Sequence, residues 1–442
     1  MRPTTTPMRE SDPLRLDRTL RGYAKRYVDF RLALRTGPAQ EHVFELLPRE
    51  LSDEGLEELA ESQAGDPLRS AALPIAVWLR IEHDLIEARR EEAVRLRHTR
   101  FEIDQPVRGS FSLAELRRSM LADPLRRSGF LSALLGRAER LGEARVRRWE
   151  LEGELYARHS TPAARLGSAS ERAVSESLLK GTDAAYAELG LQRFDAYLER
   201  ALGRDVSAQF PRRLSLRTLA DYFTDSPLLR GLPLEAYAAP EMLGSASFVL
   251  GMAGFGERFF EAATHNEHAF VMRFDLRAAS RAEWAALFAL LPASRPFASR
   301  YLDVPRSRYG EYSLRLGQTW VALLRGLTLR AALVEPSLAG ERSYLAAFRD
   351  LVPRALGFEL DRRAAGALFV DDMAVTRLSG LALAAARARE LTEAYDEDWF
   401  RNPRAIDQIR EELRLCEPAT PSSEQLELGV RELLRWLHEQ LG

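Results

Sequence analysis

Apolar residues recur at three- and four-residue spacing along almost the whole chain, while alternating runs rich in Val, Ile and Thr are scarce. This pattern predicts an all-α protein. Helices are expected over 14–34, 53–62, 73–97, 113–121 and 129–157, then over 214–223, 255–269, 281–291, 312–334, 343–356, 375–395 and 403–413. The stretch FEIDQPVRGSFS at 101–112 carries a proline and a glycine and is the candidate for a small β excursion. Small polar residues dominate 160–170, after which a long helix is expected near Ser170 with Glu171 and Glu176 close to its positive end. That stretch divides the chain into an N-terminal helical lobe, 1–165, and a larger helical body, 166–442. A final amphipathic helix, 422–441, follows the turn at 418–421.

Composition narrows the class. The chain has 442 residues, of which 46% are hydrophobic and 29% charged, as in globular proteins with a sizeable core. A net charge of -2 supplies no basic field for nucleic acid. Apart from Lys25 and Lys180 the positive charge is all arginine. Glu87, Arg90, Glu91 and Arg95 fall at spacings that favour pairing along a solvated helix face. Cys416 is the sole cysteine, which excludes an intrachain disulfide and suits a reducing cytoplasm. The first nineteen residues lack a signal-peptide apolar core, and the longest apolar stretches, 246–255 and 380–386, are too short to span a bilayer, so neither export nor membrane insertion is expected.

The chemistry-bearing stretch is Glu261-Ala-Ala-Thr-His265-Asn-Glu-His268, followed by Arg281-Ala-Glu283-Trp. A zinc peptidase of the H-E-x-x-H type needs two histidine ligands four residues apart on one helix, with a glutamate between them as general base. Here Glu261 stands at the first ligand position and Ala262 at that of the base; only His265 matches. Glu261, His265 and His268 would share one helical stripe.

Several further segments follow the same order as the oligoendopeptidase and thimet-oligopeptidase family of zinc metallopeptidases, which the chain resembles. They are Leu216-Arg-Thr-Leu-Ala-Asp-Tyr-Phe-Thr-Asp225 with Leu232-Pro-Leu-Glu-Ala236, the glycine-containing Ala253-Gly-Phe-Gly256 read as a turn before the site helix, Glu283-Trp-Ala-Ala-Leu-Phe288, and Tyr395-Asp-Glu-Asp-Trp-Phe-Arg-Asn-Pro-Arg404. The resemblance implies a two-lobed helical zincin fold with a central channel, and Glu283 as the third-ligand position. It also implies a catalytic tyrosine where Met373 or its neighbours stand, and no Tyr occurs between Tyr344 and Tyr395. With the base, the first histidine and the tyrosine all replaced, the expected function is that of a catalytically inactive pseudopeptidase whose cleft binds a peptide or protein partner, without a cofactor. The alternative is a divergent zinc metallopeptidase with a metal site rebuilt from Glu261, His265, His268 and Glu283.

Other constellations are weaker. There is no nucleophile elbow and no Walker loop, and Gly251, Gly254 and Gly256 do not follow a strand. His42, His83, His98 and His159 are expected to be solvated, and Glu417 beside Cys416 would raise the thiol pKa and disfavour a nucleophilic role.

Overall fold

Helical periodicity is realised throughout. The computed structural model describes residues 13–36, 47–62, 66–104, 108–159, 169–203, 209–232, 234, 239–240, 242, 244–264, 269–273, 280–366, 373–415 and 421–442; these are mostly helical, with one two-stranded hairpin. The boundary between residues 165 and 166 lies outside the described residues, as does Cys416.

The N-terminal helices are α1 (Pro13–Thr36), α2 (Asp53–Ser62), α3 (Pro67–Asp84), α4 (Ile86–His98), α5 (Leu113–Ala122) and α6 (Arg127–Arg158). The helix expected over 73–97 is two helices. Its true start is set by Asp66, whose carboxylate accepts the Leu68 and Arg69 backbone N–H groups ahead of Pro67, and it is interrupted at Leu85. The expected β excursion is a hairpin of β1 (Phe101–Ile103) and β2 (Gly109–Phe111), with Phe101 opposite Phe111. Ser112 and Glu115 then form a capping box that starts α5.

Leu20 and Tyr23 of α1 pack with Ile75 and Leu79 of α3, and Val271 from the C-terminal half joins this core. Charge joins α4 to α6. Glu92 accepts hydrogen bonds from Arg145 at 2.8 Å and Arg148 at 2.7 Å, and Arg148 also donates to the fully buried Glu152 at 2.9 Å. The Arg90–Glu87 and Arg95–Glu91 pairs form as expected. The same stretch is more than a solvated face, however: Arg89 is buried against Glu82, which Tyr27 also hydrogen-bonds at 2.7 Å.

The C-terminal part comprises α7 (Ala169–Glu188), α8 (Phe194–Leu202), α9 (Leu216–Asp221), α10 (Ser245–Ala263), α11 (Phe270–Arg273), α12 (Ser280–Leu290), α13 (Arg295–Tyr301), α14 (Tyr309–Leu338), α15 (Glu341–Leu356), α16 (Ala374–Tyr395), α17 (Pro403–Leu415) and α18 (Ser423–Leu441). Three successive seams, α10–α12, α12–α16 and α16–α18, are each closed on a glycine. A Cβ on Gly256 would stand 2.5 Å from the Trp284 carbonyl oxygen, one on Gly380 2.5 Å from Ala282, and one on Gly429 2.6 Å from Ala382. Absence of a side chain lets each pair of backbones approach, and Phe223, Phe255, Phe288, Phe297 and Phe400 fill the space beside the first seam. This corrects the reading of Gly251 to Gly256 as a turn: they lie inside α10, where Gly256 acts as a spacer against α12.

Candidate functional site

Placing the glycines inside α10 moves the start of the helix ten residues upstream and puts Glu261 in its last turn. The helix ends at Ala263 with Thr264 as its C-cap, so the expected continuous stripe through 261, 265 and 268 is not carried by α10. His265, Glu267 and His268 lie outside the described residues, as does Asp372 beside Met373.

Glu261 is held by cations. Arg258, one turn earlier on α10, donates to one carboxylate oxygen, and Arg281 of α12 approaches the other at 2.7 Å while standing 3.5 Å from Glu257. Burial disfavours the Arg281 charge, but Glu257 and Glu261 outweigh it and raise its pKa above the ordinary arginine value. Arg273 of α11 is shifted the opposite way, lowered by burial and then by Arg21 of α1, with Asp17 and Glu261 compensating in part. Asp17 also accepts the Val271 backbone N–H at 2.9 Å, tying α1 to this corner. At Ala262, where the resemblance expects a general base, the side chain is buried and apolar and offers no proton acceptor.

Glu283 serves a different helix. Positions 281 and 283 are about 200° apart on α12, so Arg281 faces α10 while Glu283 is buried towards α16 and accepts a hydrogen bond from Arg387. Burial raises the Glu283 carboxyl pKa, Arg387 opposes that rise, and Glu390 and Glu412 add to it. Arg387 lies 5.1 Å above the Trp284 ring and donates to Glu412 of α17 at 2.6 Å. Gln408 continues the chain to Glu412 at 2.7 Å and accepts from Tyr395. The network therefore joins α12, α16 and α17.

Glu261 and Glu283 are committed to arginines, and the other two candidate donors, His265 and His268, lie outside the described residues. The two carboxylates leave α12 or approach it on opposite sides; among the described residues no group of three or more His, Cys, Asp or Glu is placed to hold a metal. Met373 immediately precedes α16, makes no side-chain cap hydrogen bond and is half-buried. Arg258 stands one turn before Glu261 on the same helix, whereas Arg281 reaches it only through packing of α12 on α10. Arg387 was not readable from the sequence, because 104 residues separate it from Glu283 and only packing of α12 on α16 brings them together. His83 and His159 also depart from the solvated expectation: Tyr23 sits 2.6 Å from the His83 Nδ1, and burial lowers the pKa of both histidines. His98 is exposed as expected, and His42 lies outside the described residues.

Among the described residues, no helix is long and apolar enough to cross a membrane. No protein-family model matches the chain, and no curated protein matches it either.

Proposed function

We propose that the chain is a catalytically inactive, oligoendopeptidase-like protein of two helical lobes in a zincin-like arrangement, which binds a peptide or protein partner in the cleft where relatives cut peptides. The observation that carries this reading is the engagement of both ligand-position carboxylates by arginine, Glu261 by Arg258 and Arg281 and Glu283 by Arg387. A guanidinium neutralises a carboxylate and fixes its direction, and so takes over the structural task a bound cation would perform. Ala262 supports the loss of chemistry, because general-base catalysis contributes roughly 100- to 10,000-fold and no acceptor stands at that position. Arg273, itself close to Arg21, places further positive charge near Glu261, a setting suited to carboxylates of a bound peptide.

Quenched-fluorescence peptides test the reading directly. Purified protein is expected to bind unstructured peptides without turning them over, with or without added zinc. Turnover that is abolished by a chelator and by Glu283→Ala would establish the rebuilt zinc peptidase instead.

A further inference from the structure

A separate cleft of about 190 Å³ opens at the far end of the α12–α16–α18 layer, one helical turn and more beyond Glu283. Its floor is apolar. Leu287 and Leu290 of α12, Ala385 and Ala388 of α16, and Trp436 of α18 line it, and Trp436 is braced edge-on by Trp320 at 5.6 Å. Drug-sized ligands occupy roughly 300–1,000 Å³, so this space suits a smaller metabolite.

The rim carries charge of both signs, most of it already paired. Arg435 engages Glu432 and Glu439, and Arg389 engages Glu393. Arg295 and Glu397 differ: both are exposed at the rim, and neither enters an ion pair or hydrogen bond among the described residues. Both line the cleft with Tyr309, whose hydroxyl donates to the Ala293 carbonyl at 2.6 Å; burial raises its pKa, Glu397 adds to the rise, and Ser313 and then Arg295 oppose it. An apolar floor thus lies beneath one uncommitted cation and one uncommitted anion.

We infer that this cleft binds a free α-amino acid with an apolar side chain, its carboxylate on Arg295, its ammonium on Glu397 and its side chain on the Leu287–Ala388–Trp436 floor. A peptide end presents only one of the two charges. A fatty acid or an alkylamine likewise satisfies only one side of the rim. The site is remote from Glu261 and does not depend on the peptidase-like reading.

Calorimetry and tryptophan fluorescence on the full chain, titrated with leucine, leucinamide and N-acetyl-leucine, test the inference. Leucine is expected to bind saturably, and each capped analogue about tenfold or more weakly, since a charge-assisted hydrogen bond contributes roughly 1.5–3 kcal/mol. Arg295→Ala and Glu397→Ala, both exposed and not expected to disturb folding, should each weaken leucine by a similar factor. Ala388→Phe should fill the cleft and abolish binding while the thermal melt stays cooperative. Failure of leucine and phenylalanine to bind at millimolar concentration, equal binding of leucinamide, or binding indifferent to all three substitutions would overturn it.

Discussion

Helix pairs in this molecule are joined by two opposite means. Between α4 and α6 the contact is ionic, with Glu92, 12% exposed, held between Arg145 and Arg148. Between α10 and α12, and again between α12 and α16, it is steric, with Gly256 and Gly380 bringing backbones together. The ionic seam depends on protonation and on the presence of every partner, because a buried charge that loses its counter-ion is costly. The steric contact at a glycine depends on volume and carries no charge of its own. The Glu261 and Glu283 carboxylates sit at the edges of the glycine seams but behave like those of the ionic one, serving arginines and helix packing.

Breaking the ionic seam has the largest expected effect. Glu92→Ala leaves Arg145 and Arg148 without their shared carboxylate and should cost about 3–5 kcal/mol in chemical denaturation. Acid should reproduce part of that loss. Burial disfavours the Glu92 charge, but Arg148 and Arg145 more than reverse this and hold its pKa at about 2, below the ordinary 4.5. A depressed carboxylate stabilises the fold above its unfolded value and loses that contribution as pH falls through the folded one. Stability should therefore decline between about pH 4.5 and 2, by roughly 3 kcal/mol from this group. Glu92→Gln should flatten that part of the pH profile; an unchanged profile would remove the ionic seam from the account.

The glycine seam should respond to size. Gly380→Ala gains up to about 1 kcal/mol of helix propensity, yet its Cβ meets the Ala282 and Glu283 backbone of α12 at 2.5–2.7 Å. Overpacking of this kind costs roughly 1–3 kcal/mol, so a net destabilisation is expected. A neutral or stabilising Gly380→Ala would show that α12 and α16 can separate freely.

How far the sequence disclosed this arrangement follows from the range of each interaction. Helices such as Asp53–Ser62 and Ala374–Tyr395 were legible because periodicity is local. The start of α10 was not, since Gly251, Gly254 and Gly256 resemble helix breakers until α12 is packed on them. Similarly, Arg258 stands only three residues from Glu261, whereas the partners of Glu92 and Glu283 lie 53, 56 and 104 residues away along the chain. Glu283→Ala probes the last of these. It frees Arg387 from one of two carboxylates while removing a buried acid, so a loss of about 1–2 kcal/mol is expected.

Thermal melting of the wild-type protein with stoichiometric zinc, and then with excess chelator, tests most directly whether the carboxylates at positions 261 and 283 serve arginines in place of a metal. A ligand that binds only the folded state must raise the melting temperature. The account predicts the same melting temperature in buffer, zinc and chelator. A rise of several degrees with zinc that disappears in Glu261→Ala and Glu283→Ala would contradict it.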